Sequence, residues 1–267
     1  MKVYISADIE GIAGLVDWKE TDQAEADYKP YSEQMTREVK AACEGAINAG
    51  AKEIWVKDAH DLGRNINIDE LPKMVRLIRS WSEHPFCMMQ ELDASFDSAI
   101  MIGYHSGAGT DGNPLAHSFS SEKIANLRIN DKLADEFLVN TYTAGYVNVP
   151  VVFVSGDEAL CKTVKSFNNN IKTVATKKGI GNSVISIHPE EAITRTRAAV
   201  QEALDEGNRQ LCKVNLPSKF KIEINYIKHA QAYQASFYPG VKQLNPNTVL
   251  FETDDYFEVL RMFSFLL

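Results

Sequence analysis

Apolar residues along the chain follow two patterns, one typical of buried strands and the other typical of helices. Short runs rich in β-branched and aromatic residues occupy residues 3–7, 53–58, 98–104 and 150–155, and such runs favour strands buried on both faces. Between the first two runs, apolar residues recur at helical spacing over residues 31–50. A strand, a helix and a strand in this order form a βαβ unit with parallel strands. We therefore predict an α/β fold with a mostly parallel sheet flanked by helices.

The periodicity changes toward the C-terminus. From residue 219 onward, apolar Phe220, Ile222 and Ile224 alternate with polar residues, which is typical of an antiparallel strand with one solvated face. No internal repeat or low-complexity stretch is present. We therefore expect an α/β core over residues 1–189 and a smaller α+β portion over residues 190–267.

Three connecting segments carry weaker signals. Residues 71–81 are predicted to be helical or irregular. Residues 106–114 are so rich in Gly and turn formers that a mobile loop is expected. Residues 177–183 lack the Gly-Lys-Ser/Thr of a phosphate-binding loop, so we favour a plain connection, with a contact to a substrate carboxylate as the alternative.

Composition and charge exclude several classes of protein. The net charge of −8 and the absence of a polybasic cluster argue against a nucleic-acid partner. No apolar run approaches the roughly 18 residues that a bilayer-spanning helix needs, so no membrane partner is expected. The N-terminus shows no secretory signal, which predicts a cytoplasmic location. The four cysteines form no Cys-x-x-Cys pair, and we expect them to be reduced thiols.

Four metal-binding side chains lie where three of the predicted strands end. Asp8 and Glu10 follow the first strand, and the two-residue period of a strand would place both on one side. His60 follows the second strand and His105 the third. Because ligands bind at the carboxyl edge of such a sheet, we expect these groups to converge. Two carboxylates with two imidazoles suit zinc, manganese or iron better than calcium or magnesium.

The same residues belong to a longer series of motifs that keeps its order over roughly the first 160 residues. The motifs are Ser-x-Asp-x-Glu-Gly at 6–11, Asp-x-His at 58–60, Gly-Tyr-His at 103–105, His-Ser at 117–118 and Ile-Asn-Asp…Glu…Asn-x-Tyr at 129–142. Together they resemble the zinc-dependent D-aminopeptidase family associated with bacterial dipeptide-transport operons. Each motif alone is weak, but their joint occurrence is specific.

The resemblance implies a metal-binding core with two Zn²⁺ ions per subunit. In the family pattern Asp8 would bridge both ions, Glu10 and His60 would complete one site, and His105 and Glu136 the other. The formal charges support this assignment. Two zinc ions, three carboxylates and one hydroxide sum to zero, so the buried cluster would carry no net charge.

The resemblance also implies an activity, with His117 as the catalytic histidine. The enzyme would hydrolyse the N-terminal peptide bond of short peptides, including peptides that contain D-amino acids. A bound ion lowers the pKa of water from 15.7 to about 7, so a metal-bound hydroxide would be the nucleophile. His117 would assist as general base, general acid or oxyanion donor. A ring-like homo-oligomer is implied as well, with a decamer as the candidate size.

Two other functions remain open from the residues themselves. A two-metal phosphoesterase uses similar ligands, but Lys57 and Arg64 are the only basic residues near the motifs. A metal-dependent binding or assembly protein would hold structural ions in a closed shell without water. Asp58 lies two residues before His60, so in a strand both side chains would point to the same side. Asp58 therefore either orients the metal site or lies in a solvent-facing turn.

Overall fold

The computed structural model describes residues 1–267 and arranges twelve strands in two sheets. In chain order the strands are β1 (Lys2–Ala7), β2 (Glu53–Asp58), β3 (Val75–Ile78), β4 (Ser98–Tyr104), β5 (Ile124–Ile129), β6 (Lys132–Leu133), β7 (Val151–Asp157), β8 (Lys172–Ile180), β9 (Ser183–Ser186), β10 (Phe220–Tyr226), β11 (Lys242–Gln243) and β12 (Thr248–Thr253). The first sheet contains seven of them in the order β3-β2-β1-β4-β7-β8-β9. Its neighbouring strands are parallel except for β8 and β9. The predicted mostly parallel sheet is confirmed.

Seven α-helices accompany the sheets. They are α1 (Tyr28–Asn48), α2 (Glu136–Tyr146), α3 (Glu158–Phe167), α4 (Pro189–Ala203), α5 (Glu206–Leu211), α6 (His229–Ala235) and α7 (Tyr256–Leu266). Helices α1 and α4 pack against each other. Helix α1 also contacts β1 and β4, and helix α4 also contacts β7 and β8. None of the helices combines the length and the apolar composition that crossing a bilayer requires.

The order of the strands reverses between β1 and β4. The chain proceeds from β1 outward to β2 and β3, and then returns to β4 on the other side of β1 before continuing to β7 and β8. At such a reversal the connections leave in opposite directions and open a crevice outside the carboxyl ends of the strands. The residues that directly follow β1 and β4 therefore lie where a ligand site is expected.

The main core surrounds the same two strands. Residues 3–7 of β1 and all of β4 are buried, so the backbone that leads into the site is packed on all sides. Tyr104, the last residue of β4, is fully buried, and its hydroxyl lies 2.7 Å from Ser6 Oγ and accepts a hydrogen bond from Asn140 Nδ2 at 2.9 Å. This network ties the end of β4 to β1 and to helix α2.

The second sheet is antiparallel, with the order β11-β12-β10-β5-β6. The alternating residues of β10 are buried on one face, as their pattern predicts, and helices α6 and α7 contact β10 and β12. Elements from both sides of residue 190 build each layer: β5 pairs with β10, and α4 packs on the first sheet. The division of the chain at this residue stays a prediction.

Two connecting segments form strands that the sequence did not predict. Residues 71–81 contain β3, a parallel edge strand beside β2 whose side chains are only partly buried, which obscures the alternation of its sequence. Residues 177–183 belong to the β8–β9 hairpin, which turns at Gly181 with a φ of +56°. The prediction of a helical or irregular stretch is therefore wrong for residues 75–78, and residues 177–183 form a hairpin between two strands rather than a plain connection. The alternative for residues 177–183, a contact with a substrate carboxylate, stays a prediction.

Candidate metal site and active-site cleft

The first group of side chains at the site joins the ends of β1 and β2. His60 Nδ1 lies 3.3 Å from Asp8 Oδ1 and 3.2 Å from Glu10 Oε2. All three side chains are buried. Asp8 and Glu10 follow the last residue of β1 and lie in a turn, so the period of a strand, which we used to place them on one side, is not what brings them together.

The second group joins the end of β4 to the start of α2. His105 Nε2 lies 3.6 Å from Asp8 Oδ2 and 3.5 Å from Glu136 Oε2. Asp8 thus directs one carboxylate oxygen toward each group. Within each set of three residues the potential ligand atoms lie no more than 4.8 Å apart, and the structure brings all five predicted ligands into one cluster.

Close approach of two strand ends requires glycine at two positions of the motifs. A Cβ atom on Gly11 would lie 1.8 Å from the carbonyl oxygen of Tyr104, and one on Gly103 would lie 2.2 Å from that of Asp8. Gly103 also has a φ of +69°, a conformation that favours glycine. The amide of Gly11 donates to the Gly103 carbonyl at 2.8 Å. The backbone hydrogen bonds between these strand ends thus depend on the absence of side chains.

His117 lies beside the second group. Its Nε2 is 3.9 Å from Glu136 Oε1, and its ring stacks on that of His105 with the ring centres 4.3 Å apart. The indole of Trp18 packs edge-on against the same imidazole, with the ring centres 5.3 Å apart. His117 is half-buried and lines the cleft described below. It also forms a potential ligand set with Glu10 and His105.

Backbone carbonyls fix the tautomer of each histidine at the site. His60 Nε2 lies 3.1 Å from the carbonyl oxygen of Thr21. His105 Nδ1 lies 3.0 Å from the carbonyl oxygen of Ser106, and His117 Nδ1 lies 2.9 Å from that of Leu115. A carbonyl oxygen only accepts hydrogen bonds, so each of these nitrogens carries a proton. The opposite nitrogen of each ring points into the site and is free to bind a metal or a proton.

The donor set fits zinc. Glu10 Oε2 and His105 Nε2 are buried and make no hydrogen bond, although buried polar atoms are normally paired. A cation between the carboxylates and imidazoles would satisfy both atoms. Nitrogen and carboxylate oxygen ligands are those that zinc prefers.

The pKa values show how strongly the cluster concentrates negative charge. Burial, reinforced by the Glu10 carboxylate, raises the pKa of Asp8 well above its usual value. Burial alone would lower the pKa of His60 and His105, but the charges of Glu10 and Glu136 outweigh it and raise both well above the usual value. The site therefore favours positive charge, which a divalent ion can supply.

His117 behaves in the opposite way. Burial lowers its pKa, and the positive charge of neighbouring His105 lowers it further. The imidazole is therefore neutral at pH 7, and the Nε2 atom that faces the site has a free electron pair. A neutral histidine in this position is able to accept a proton.

Asp58 holds the segment that carries His60. It is fully buried and accepts hydrogen bonds from the amides of Asn65 and Ile66, at 2.5 and 2.8 Å, and from Asn65 Nδ2 at 2.8 Å. Asn65 Nδ2 also donates to the His60 carbonyl at 2.8 Å. Of the two alternatives for Asp58, the structure supports the orienting role and excludes a solvent-facing turn.

The glycine-rich loop after His105, for which mobility stays a prediction, is anchored by hydrogen bonds at both ends. Asp157 accepts hydrogen bonds from the Ser106 amide at 2.7 Å, from Ser106 Oγ at 2.5 Å and from Asn113 Nδ2 at 3.3 Å. Only residues 109–111 are exposed. Buried polar partners, which the composition of the loop did not reveal, thus fix the path toward His117.

Sequence reasoning missed three residues that support the site. Asp157 is the last residue of β7, and the rule that locates Asp8, His60 and His105 at strand ends would have identified it. Lys177 and Asn113 both donate to the Glu10 carbonyl, at 2.5 and 3.1 Å. Burial lowers the pKa of Lys177 to about 8. No local sequence pattern predicts either contact, because the two residues that each contact joins lie far apart in the sequence.

An open cleft leads to the cluster. It has a volume of about 770 Å³. Its lining is acidic, with Asp22, Asp61 and Glu122 in addition to the carboxylates of the cluster, and it contains no Lys or Arg. The cleft therefore attracts cationic groups and disfavours phosphate.

Comparisons with known proteins agree with this geometry. A sequence model of a family described as D-aminopeptidase matches residues 1–265. A D-aminopeptidase of Bacillus subtilis (strain 168) is 31% identical over 260 residues, which cover 97% of this chain and 93% of that protein.

A solved structure is also similar. It is the Zn-dependent D-aminopeptidase DppA from Bacillus subtilis, described as a self-compartmentalizing protease, and it superimposes with a TM-score of 0.92 at 29% identity. The match covers 98% of this chain and 95% of the other. The predicted fold class and aminopeptidase assignment are confirmed, and the chain belongs to the D-aminopeptidase family.

Proposed function

We propose that this chain is a di-zinc aminopeptidase that removes the N-terminal residue of short peptides, including D-residues. The observation that carries the proposal is the position of Asp8, which directs one oxygen toward His60 and the other toward His105. A carboxylate placed in this way is suited to bridge two ions. Asp8, Glu10 and His60 would hold one zinc ion, and Asp8, His105 and Glu136 the other.

The arrangement favours catalysis over a structural role for the ions. Each group supplies three protein ligands when the shared Asp8 is counted twice, whereas structural zinc sites have four. The cluster also borders an open cleft. A binding or assembly protein with structural ions would need a closed shell, which these residues do not provide.

Zinc bound here would polarise the scissile carbonyl and lower the pKa of water to about 7. The residues of the chain would perform the remaining tasks. His117 would accept a proton from the nucleophilic water at Nε2 and donate it to the leaving amine. Its Nδ1 atom is not available for this role, because it donates a hydrogen bond to the Leu115 carbonyl. The Phe119 amide donates to Glu136 Oε1 at 2.6 Å and orients that carboxylate.

The charge of the cleft supports a peptide with a free amino terminus as the substrate. Asp22, Asp61 and Glu122 would attract the α-ammonium group, and the absence of Lys and Arg from the lining disfavours phosphate esters. The preference for D-residues rests on the relatives, both of which are described as D-aminopeptidases.

Self-association is part of the proposal. The related structure is described as self-compartmentalizing, which supports a homo-oligomer, and we propose a ring of subunits with a decamer as the candidate size. Tyr233, Phe237 and Phe265 are large, exposed apolar side chains near the C-terminus and are suited to subunit contacts. The cytoplasmic location stays a prediction from the sequence.

A panel of substrates tests the proposal. The zinc-loaded protein is assayed with matched dipeptides that begin with an L- or a D-residue, with the same peptides acetylated at the amino terminus, and with aryl phosphate esters. We expect cleavage of the free dipeptides, faster for the D-series, and little cleavage of the acetylated ones. Hydrolysis of the esters alone would favour the phosphoesterase.

A further inference from the structure

Beside the cleft lies a second cavity with a different character. It has a volume of about 260 Å³ and lies between the segment of residues 81–90, helix α2 and helix α7. Most of its lining is apolar and includes Phe86, Val139, Leu260 and Phe263. An apolar cavity of about 150 Å³ is large enough to bind benzene. This cavity therefore has room for one large apolar side chain.

The cavity adjoins the active-site cleft. Trp81, Cys87 and Phe119 line both spaces. The Phe119 amide donates a hydrogen bond to Glu136 Oε1 at 2.6 Å. One residue of the wall between the two spaces is therefore hydrogen-bonded to a proposed zinc ligand. A substrate residue next to the scissile bond would therefore lie beside this wall.

Most polar groups of the cavity already have partners within the protein. Gln90 Oε1 accepts from the Ser82 amide at 3.0 Å, and Asn140 Nδ2 donates to the Tyr104 hydroxyl at 2.9 Å. Glu83 is the only acidic residue in the lining, and it is exposed. The interior offers no unpaired ionic partner to a charged side chain, so an apolar side chain fits best.

We propose that this cavity receives the side chain of the substrate's N-terminal residue and gives the enzyme a preference for bulky apolar residues at that position. The inference rests on the proposed aminopeptidase function. In such an enzyme the N-terminal residue is held by its amine and its carbonyl next to the ions, so its side chain lies at the wall formed by Phe119. The rest of the peptide leaves through the open cleft.

The test compares specificity in variants with a filled or a widened cavity. Ser264 lines the cavity and lies on the exposed side of α7, so Ser264→Phe places a ring in the cavity from outside. Ser166→Phe, on the exposed side of α3, is the matched control. Phe119→Ala removes the ring from the shared wall, and it provides a second test in case α7 does not tolerate the new side chain.

The substrates are D-Phe-Ala, D-Ala-Ala, D-Lys-Ala and D-Ala-Phe. We expect kcat/KM of the wild type to be about tenfold or more higher for D-Phe-Ala than for D-Ala-Ala, in line with what hydrophobic pockets achieve. Ser264→Phe should lower this ratio about tenfold, and Phe119→Ala should lower it severalfold. Ser166→Phe should leave both the ratio and the rate unchanged.

Binding provides a readout that does not depend on turnover. Trp81 lines both spaces, so free D-phenylalanine should change the tryptophan fluorescence of the wild type in a saturable way. The change should be lost in Ser264→Phe and should persist in Ser166→Phe. It should be reduced in Trp81→Phe, in which Trp18 is the remaining tryptophan that lines the cleft.

Several results would overturn the inference. They are a preference for D-Lys-Ala, a preference that follows the second residue, or a ratio that neither cavity variant alters. In each case cleavage of the peptides would still support the aminopeptidase. If no peptide is cleaved while phosphate esters are, both the proposed function and the role of this cavity are wrong.

Discussion

The candidate site is assembled from two regions that the fold places in different ways. Asp8, His60 and His105 leave the first sheet directly at the ends of β1, β2 and β4, so the order of the strands fixes their positions. Glu136 and His117 lie on chain that has left this sheet: Glu136 begins α2 after the β5–β6 hairpin, and His117 lies in the preceding loop. The site therefore depends both on strand topology and on the packing of helix α2 against β4.

The largest effect is expected in the first region. Asp8→Asn preserves the shape of the side chain but removes the charge that both groups share. Changing residues that only support zinc ligands typically costs about 10- to 100-fold, so we expect kcat/KM to fall on the order of 10³-fold or more. Zinc content per subunit should fall with it, as measured by atomic absorption.

His229→Gln, an exposed substitution in α6, is the control for Asp8→Asn and should match the wild type in both measurements. An Asp8→Asn protein that keeps its zinc and its activity would refute the shared carboxylate.

A smaller and different effect is expected in the second region. His117→Gln removes the proposed proton-transfer group and should lower kcat by about 10²- to 10⁴-fold. Zinc content should stay at the wild-type level, because the other five residues retain their ligand atoms. If zinc is lost in parallel with activity, His117 is itself a ligand, in the set that it forms with Glu10 and His105.

The smallest effect concerns Lys57, which lies behind the first region. Its Nζ donates to the carbonyls of Asp58 and Ser80, at 2.8 and 2.7 Å, and lies 3.7 Å from the centre of the Trp81 ring. Lys57→Met removes these hydrogen bonds, so we expect a loss of about 1–3 kcal/mol in the free energy of unfolding. Urea denaturation measures this loss.

The loss from Lys57→Met should depend on pH. Burial lowers the pKa of Lys57 to about 8, against about 10.4 in an unfolded chain. Between these values the unfolded chain binds more protons, so the contribution of Lys57 to stability rises with pH. The difference between wild type and variant should therefore grow from pH 8 to pH 10. A constant difference would contradict this assignment.

The two regions also differ in how far the sequence predicts them. Apolar runs located β1, β2 and β4, and the rule that parallel strands share a carboxyl edge then brought Asp8, His60 and His105 together. No comparable rule locates Glu136 or His117, since helix starts and loops can approach any edge of a sheet. Their assignment came from the family resemblance, supported for Glu136 by its position at the start of a helix that follows a strand.

The missed features have a common physical cause. Strand β3 is only partly buried at the edge of the sheet. Its residues therefore need not form the continuous apolar run by which core strands are recognised. Lys177 is buried in β8, where its head group meets backbone carbonyls of the turn after β1. Such contacts depend on tertiary structure, which short-range periodicity does not report.

The loop anchored by Asp157 offers a practical opportunity. Its exposed tip at residues 109–111 is separated from His117 by the segment around Asn113, which is hydrogen-bonded to the protein body. An inserted peptide or an attached dye would extend into solvent without pulling on the histidine. The tip is thus a suitable attachment point for a reporter that leaves His117 in place.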